Sequence, residues 1–159
     1  MSTISRAALS LKKGFTLIEL LVVISLIGVL AVLVLPNLNA ARERGRDAAR
    51  KSDLKNMQTA LRLYYNDYGK YPLNSGGLEI SGCGVQGTDT CLWGTTFSAA
   101  SQTYMGKLPA DPLNVPYRYT RIDADTYTLQ ACLENKSDEK GLPTVGNWCP
   151  SEVMFEVRP

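Results

Sequence analysis

A run of 21 residues from Phe15 to Leu35 is apolar except at Thr16, Glu19, Ser25 and Gly28, and Glu19 is its only ionisable group. At about 1.5 Å rise per residue, a helix of that length just spans a hydrocarbon core of roughly 30 Å. A charge at the centre of such a segment costs about 2.5–3.5 kcal/mol, less near the interface, so it marks a functional site by default. Lys12 and Lys13 precede the run, and Gly14 separates them from Phe15. An ordinary soluble domain does not begin this way.

Two simpler readings account for less. A secretory signal has a shorter apolar region, about 7–15 residues, and a small-x-small cleavage site. Here the run is longer, and Leu38-Asn39-Ala40 or Asn39-Ala40-Ala41 makes a poor site. A plain N-terminal anchor, with Glu19 reaching water at the interface, explains the length but not a glycine directly before an aromatic residue.

The string Lys12-Lys13-Gly14-Phe15-Thr16-Leu17-Ile18-Glu19-Leu20 resembles the class III leader of type IV pilins and type II secretion pseudopilins. The resemblance implies that a membrane aspartyl peptidase cuts between Gly14 and Phe15, and that the new amine of Phe15 is N-methylated. It implies that Glu19 pairs with the N-terminal amine of a neighbouring subunit during assembly. Pro36 matches a helix-kinking proline, and with Gly28 it marks the weakest part of the helix. Residues 1–14 are then a cleaved leader and 15–36 a transmembrane and filament-core helix. Residues 37–68 form the amphipathic half of the same helix, and 69–159 an exported domain with a small β-sheet and disulfide loops.

The pattern beyond the apolar run agrees with that division. Leu54, Met57, Leu61 and Tyr64 recur at three and four residues, a stripe that faces a sheet. Gly69 suits a helix C-cap and Pro72 blocks a restart. Residues 74–104 read as a long Gly-, Ser- and Thr-rich loop pinned by Cys83 and Cys91, with at most a short helix near Phe97–Met105. Strands are expected over Pro116–Ile122, Thr126–Cys132 and 152–158. The fold class is α+β: one long N-terminal helix on a small antiparallel sheet. Asp67-Tyr68-Gly69-Lys70-Tyr71-Pro72, Leu108-Pro109-Ala110-Asp111-Pro112 and Pro116-Tyr117-Arg118-Tyr119 resemble, more loosely, the major pseudopilin of type II secretion. The resemblance fails over 74–104 and over 133–150, where that family carries a Gly-rich acidic calcium loop.

Composition narrows the chemistry. The formal charge is +2; without the leader's Arg6, Lys12 and Lys13 the remaining side chains sum to −1. That balance gives no basic field for nucleic acid. Histidine is absent, and no phosphate loop or nucleophile elbow is present, so an enzyme is not expected. The charged run Arg42–Lys55, with Glu43, Asp47 and Asp53 interleaved, reads as a solvated mixed-sign helix face. Tyr64, Tyr65, Tyr68 and Tyr71 read as packing residues rather than a binding platform. Calcium has only weak candidates in Asp138 and Glu139, with Glu134, Asp123 and Asp125 as further oxygen donors.

Topology is contested within the sequence itself. Counting Arg42, Arg44, Arg46, Arg50, Lys51 and Lys55 against three leader cations would keep the C-terminal domain in the cytoplasm. The leader's resemblance implies export instead, and the cysteines side with it. Cys83, Cys91, Cys132 and Cys149 admit three pairings; Cys83–Cys91 with Cys132–Cys149 closes two short loops in an exported domain. A four-thiolate zinc site is not expected, because no Cys-x-x-Cys pair exists.

The expectation is therefore a structural filament subunit, by resemblance a type II secretion major pseudopilin acting in protein secretion, single-pass in the inner membrane before assembly and in a periplasmic or cell-surface filament afterwards. By resemblance its partners are its own copies, a prepilin peptidase, an assembly platform with its ATPase, an outer channel and, before assembly, membrane lipid. The alternatives are a major or minor type IV pilin acting in adhesion, motility or DNA uptake, and a membrane-anchored extracytoplasmic binding protein.

Overall fold

The computed structural model describes residues 14–76 and 79–159, side chains 33–37 excepted. The leader residues 1–13 and the side chain of Pro36 thus lie outside the described residues. Helix α1 runs Leu17–Tyr68 over 52 residues, and its helical assignment continues through Gly28 and Pro36. The chain divides into two compact units, Met1–Asn39 and Ala40–Pro159.

In the first unit, every large apolar side chain described from Phe15 to Val32 is 45–82% exposed. A helix apolar all round is a buried helix by its chemistry, and nothing among the described residues of this unit buries it. No helix among the described residues is long and apolar enough to cross a membrane. The run's described side chains stop at Val32 and resume at Leu38.

In the second unit the helical stripe does what its spacing requires. Leu54, Met57 and Leu61 are fully buried and Tyr64 nearly so, in one core with Tyr119, Tyr127, Leu129 and Phe155. α1 ends on Gly69, whose φ of 63° suits the left-handed cap and whose N–H reaches the Tyr65 carbonyl at 2.8 Å.

The sheet expected from the sequence is present and larger. β6 (Arg118–Arg121), β7 (Tyr127–Cys132) and β9 (Val153–Val157) are the expected strands; β8 (Leu142–Pro143) joins them. The order is β6-β7-β9-β8, all antiparallel, with Tyr119 opposite Leu129 and Ala131 opposite Phe155. Alternation along β7 buries Tyr127, Leu129 and Ala131 against α1.

Residues 74–104 correct the sequence reading. They are not a long loop, and no helix forms near Phe97–Met105. β1 (Leu73–Ser75), β2 (Glu79–Cys83) and β3 (Asp89–Cys91) make an antiparallel meander, and β4 (Phe97–Ala99) pairs with β5 (Gln102–Met105). Each strand is three to five residues long, too short for its period to stand out among glycines. Yet Phe97 and Ala99 are buried with Ser98 between them, the signature of a half-buried strand. Gly84 is needed at the β2–β3 turn: its φ is +83°, and a Cβ there would meet the Asp89 carboxylate at 2.0 Å.

Candidate functional site: the helix start and a charge clamp

Helix α1 begins on Thr16. The Thr16 Oγ1 accepts the Glu19 N–H at 3.2 Å, while Glu19 Oε2 accepts the Thr16 N–H at 3.2 Å and its hydroxyl at 3.0 Å. This is a capping box, Thr-x-x-Glu, in which two orphan donors of the helix start are satisfied reciprocally. Glu19 therefore has a local partner within its own chain, which the sequence reading of a lone acid did not foresee. The Thr16-Leu17-Ile18-Glu19 spacing was the available signal. Phe15 stands 78% exposed beside it, directly after Gly14.

In the second unit the charged run departs from the solvated face expected of it. Asp47 and Arg50 are 2% and 1% exposed. Arg50 Nε donates to Asp111 Oδ2 at 2.5 Å, and Nη1 donates to Asp47 Oδ1 at 2.7 Å and Glu134 Oε1 at 2.6 Å. Arg46 forks onto the same Glu134 at 2.7 and 2.5 Å, and Lys51 reaches Asp138 at 2.5 Å. Burial opposes the charge on Arg50, but its hydrogen bonds to Asp111, Glu134 and Asp47 outweigh that and raise its pKa. The Arg46 hydrogen bond lowers the Glu134 carboxyl, and the Lys51 hydrogen bond lowers that of Asp138.

The carboxylates also hold backbone. Asp47 accepts the N–H groups of Glu134 and Asn135 at 2.9 and 2.8 Å. Asp111 accepts those of Leu113 and Val115 at 2.8 and 3.2 Å. Two loops, 111–115 and 133–138, are thereby clamped to one face of α1. Sequence reasoning missed this face although its period was visible: Asp47, Arg50, Leu54, Met57, Leu61 and Tyr64 continue one stripe at steps of three and four. Tyrosine hydroxyls add further ties, Tyr117 to Asp53, Tyr104 to Asp67 and Tyr65 to Asp125, each at 2.7 Å.

Disulfides join Cys83 to Cys91 and Cys132 to Cys149. Of the calcium candidates, Asp138 is engaged by Lys51, Glu134 by two arginines, and Glu139 is exposed. Asp123 accepts from the Asp125 N–H and the Thr126 hydroxyl, while Asp125 accepts from Tyr65. Among the described residues no group of three or more His, Cys, Asp or Glu is gathered to hold a metal.

An N-terminal helix with an unburied apolar start, its distal half packed on antiparallel sheets, defines a pilin-like α+β subunit. Comparison with known proteins agrees. Residues 9–35 match the prokaryotic N-terminal methylation motif, and residues 37–141 match the type II secretion system (T2SS), protein G. The chain belongs to this protein G family, as its leader and distal motifs led one to expect. A Pseudomonas aeruginosa protein named "Type II secretion system core protein G" is 34% identical over 143 residues, covering 86% of this chain and 95% of that one. Its namesake from Klebsiella pneumoniae is 43% identical over 143 residues, covering 86% and 94%. The "Type IV wide pilus major component PilA4" of Thermus thermophilus is 38% identical over 92 residues, covering 58% and 69%. No solved structure gives a significant match.

Proposed function

We infer that the chain is a major-pseudopilin-type subunit of a type II secretion filament, a structural rather than catalytic protein. The observation that carries this is the exposed apolar helix from Phe15 to Val32, with Glu19 capping its start. So much apolar surface needs lipid before assembly and sister helices afterwards. Cleavage between Gly14 and Phe15 leaves an amine on the residue directly before the Thr16 cap, four residues ahead of Glu19. Glu19, already bonded to Thr16, then accepts the amine of a neighbouring subunit as a charged hydrogen-bond partner. A head-to-tail contact repeated by one operator yields an open helical polymer. Lipid holds the single-pass precursor in the inner membrane, and export of the second unit accords with its two disulfides.

Two measurements test this. Intact mass of the processed protein should begin at Phe15, carrying one added methyl. Glu19→Gln should be processed normally yet yield no sheared filaments; filaments at parental yield would overturn the assembly role. A type IV pilus subunit is the second reading, favoured by the likeness to the Thermus pilus component. Deleting the gene separates the two: exported enzymes retained in the periplasm support the secretion role, and loss of surface pili with secretion intact supports the pilus.

A further inference from the structure

An open pocket of about 360 Å³ lies in the second unit where the C-terminal end of α1 meets β1, the β2–β3 turn and β6. Its wall is aromatic. Tyr64 and Tyr68 stack with centroids 4.4 Å apart, and Tyr71 and Pro72 extend the apolar surface. Tyr68 is the exposed ring of the stack, 40% accessible. Gly82 permits the close packing beneath, since a Cβ there would lie 2.9 Å from Pro72 and 3.5 Å from the Tyr64 ring.

Charge in the lining is of one sign. Lys70 and Arg121 face the pocket, and among the described residues no Asp or Glu lines it. Neither cation forms a salt bridge among the described residues. Arg121 is anchored through Nε, which donates to the Asp123 carbonyl at 2.7 Å, and among the described residues its terminal nitrogens have no hydrogen-bond acceptor. Gln86 and Thr88 supply neutral groups able both to donate and to accept, while the Ser81 hydroxyl, which donates to the Thr88 carbonyl at 3.2 Å, can accept. The turn carrying Gln86 and Thr88 is fixed by the Cys83–Cys91 bond and by Gly87 N–H on the Gly84 carbonyl at 3.1 Å.

We propose that this pocket binds a hexuronate, a sugar ring bearing one carboxylate, with the ring on Tyr68 and the carboxylate between Arg121 and Lys70. The volume is at the small end of ligand sites, which run to about 300–1,000 Å³, and suits one ring rather than an extended peptide. Two-way hydroxyl and amide groups match sugar hydroxyls. A planar guanidinium matches a carboxylate through paired N–H bonds. The site stands independently of the filament reading.

The test is a titration of the full ¹⁵N-labelled chain in detergent micelles with galacturonate, with galactose as the uncharged ring and triglutamate as a carboxylate without a sugar. Saturable shifts are expected at the amides of Lys70, Gly87, Thr88 and Arg121, with galactose at least tenfold weaker. Arg121→Gln and Lys70→Gln should each weaken galacturonate about tenfold, the scale of one charged hydrogen bond. Lys70 is exposed, so its substitution leaves the fold intact and keeps the test decisive if Arg121→Gln does not fold. Polygalacturonate acting at the same amides would support the terminal unit of a polymer as the source; action by the monosaccharide would support free sugar. Equal binding of galactose, equal competition by triglutamate, unchanged affinity in the variants, or no saturable shift would overturn the proposal.

Discussion

Replacing Arg50 by Met should destabilise the second unit by about 3 kcal/mol. The side chains of Arg50 and Asp111 are each 1% exposed and that of Asp47 3%, so Met leaves two carboxylates buried without their cation. Breaking a buried pair by removing one partner costs about 3–5 kcal/mol. The lower end applies because both carboxylates keep backbone donors, Glu134 and Asn135 on Asp47, Leu113 and Val115 on Asp111. For a domain of this size that is a fall in melting midpoint of about 10 °C. The assay is thermal unfolding followed by near-ultraviolet circular dichroism of the buried Tyr117 and Tyr119, on the full chain in detergent with disulfides intact. Neutralising the orphaned acids as well, in Arg50→Met with Asp47→Asn and Asp111→Asn, should recover more than half of the loss. Melting of Arg50→Met within 2 °C of the parent, or a triple variant less stable than the single one, would refute the reasoning.

Acid should weaken the same clamp. Glu134 and Asp138 have folded pKa values below their ordinary 4.5 and 3.8. Such groups contribute fully above those ordinary values and lose their contribution as pH falls through the lowered folded ones. Urea midpoints should be flat from pH 7 to about 5 and decline below that, with a shallower decline in Glu134→Gln; identical slopes would count against the assignment. Removing the Cys132–Cys149 bond by paired serine substitution opens a loop with a sequence separation of 17 and should cost about 3 kcal/mol in the same melt. A cost below 1 kcal/mol would show that the closed loop adds little.

What could be read in the sequence follows from range. Leu54, Met57, Leu61 and Tyr64 declare their face through spacing alone, and β6, β7 and β9 alternate over enough residues to be seen. The cysteine pairings were one of three arrangements, chosen because each closes a short loop. The strands between Leu73 and Met105 escaped because each is only three to five residues long among glycines. The clamp escaped for another reason. Arg50 and Asp111 are 61 residues apart and Arg50 and Glu134 are 84 apart, and no local pattern announces such a pairing. Charge in a helix is ordinarily solvent-facing, so the continuation of the apolar stripe through Asp47 and Arg50 was read as surface. The Thr16–Glu19 box was legible, but the carboxylate drew attention outward to a partner rather than back to its own turn.

What Asp47 and Asp111 grip is main chain, and main chain carries no lettering. The peptide N–H groups of Glu134 and Asn135 would be presented to Asp47 whatever residues filled the next positions. Lys136, Ser137, Glu139 and Lys140 are therefore largely decoupled from the scaffold beneath, apart from the hold of Lys51 on Asp138. This outward rim is a stretch where the protein's descendants can rewrite their surface while keeping their architecture.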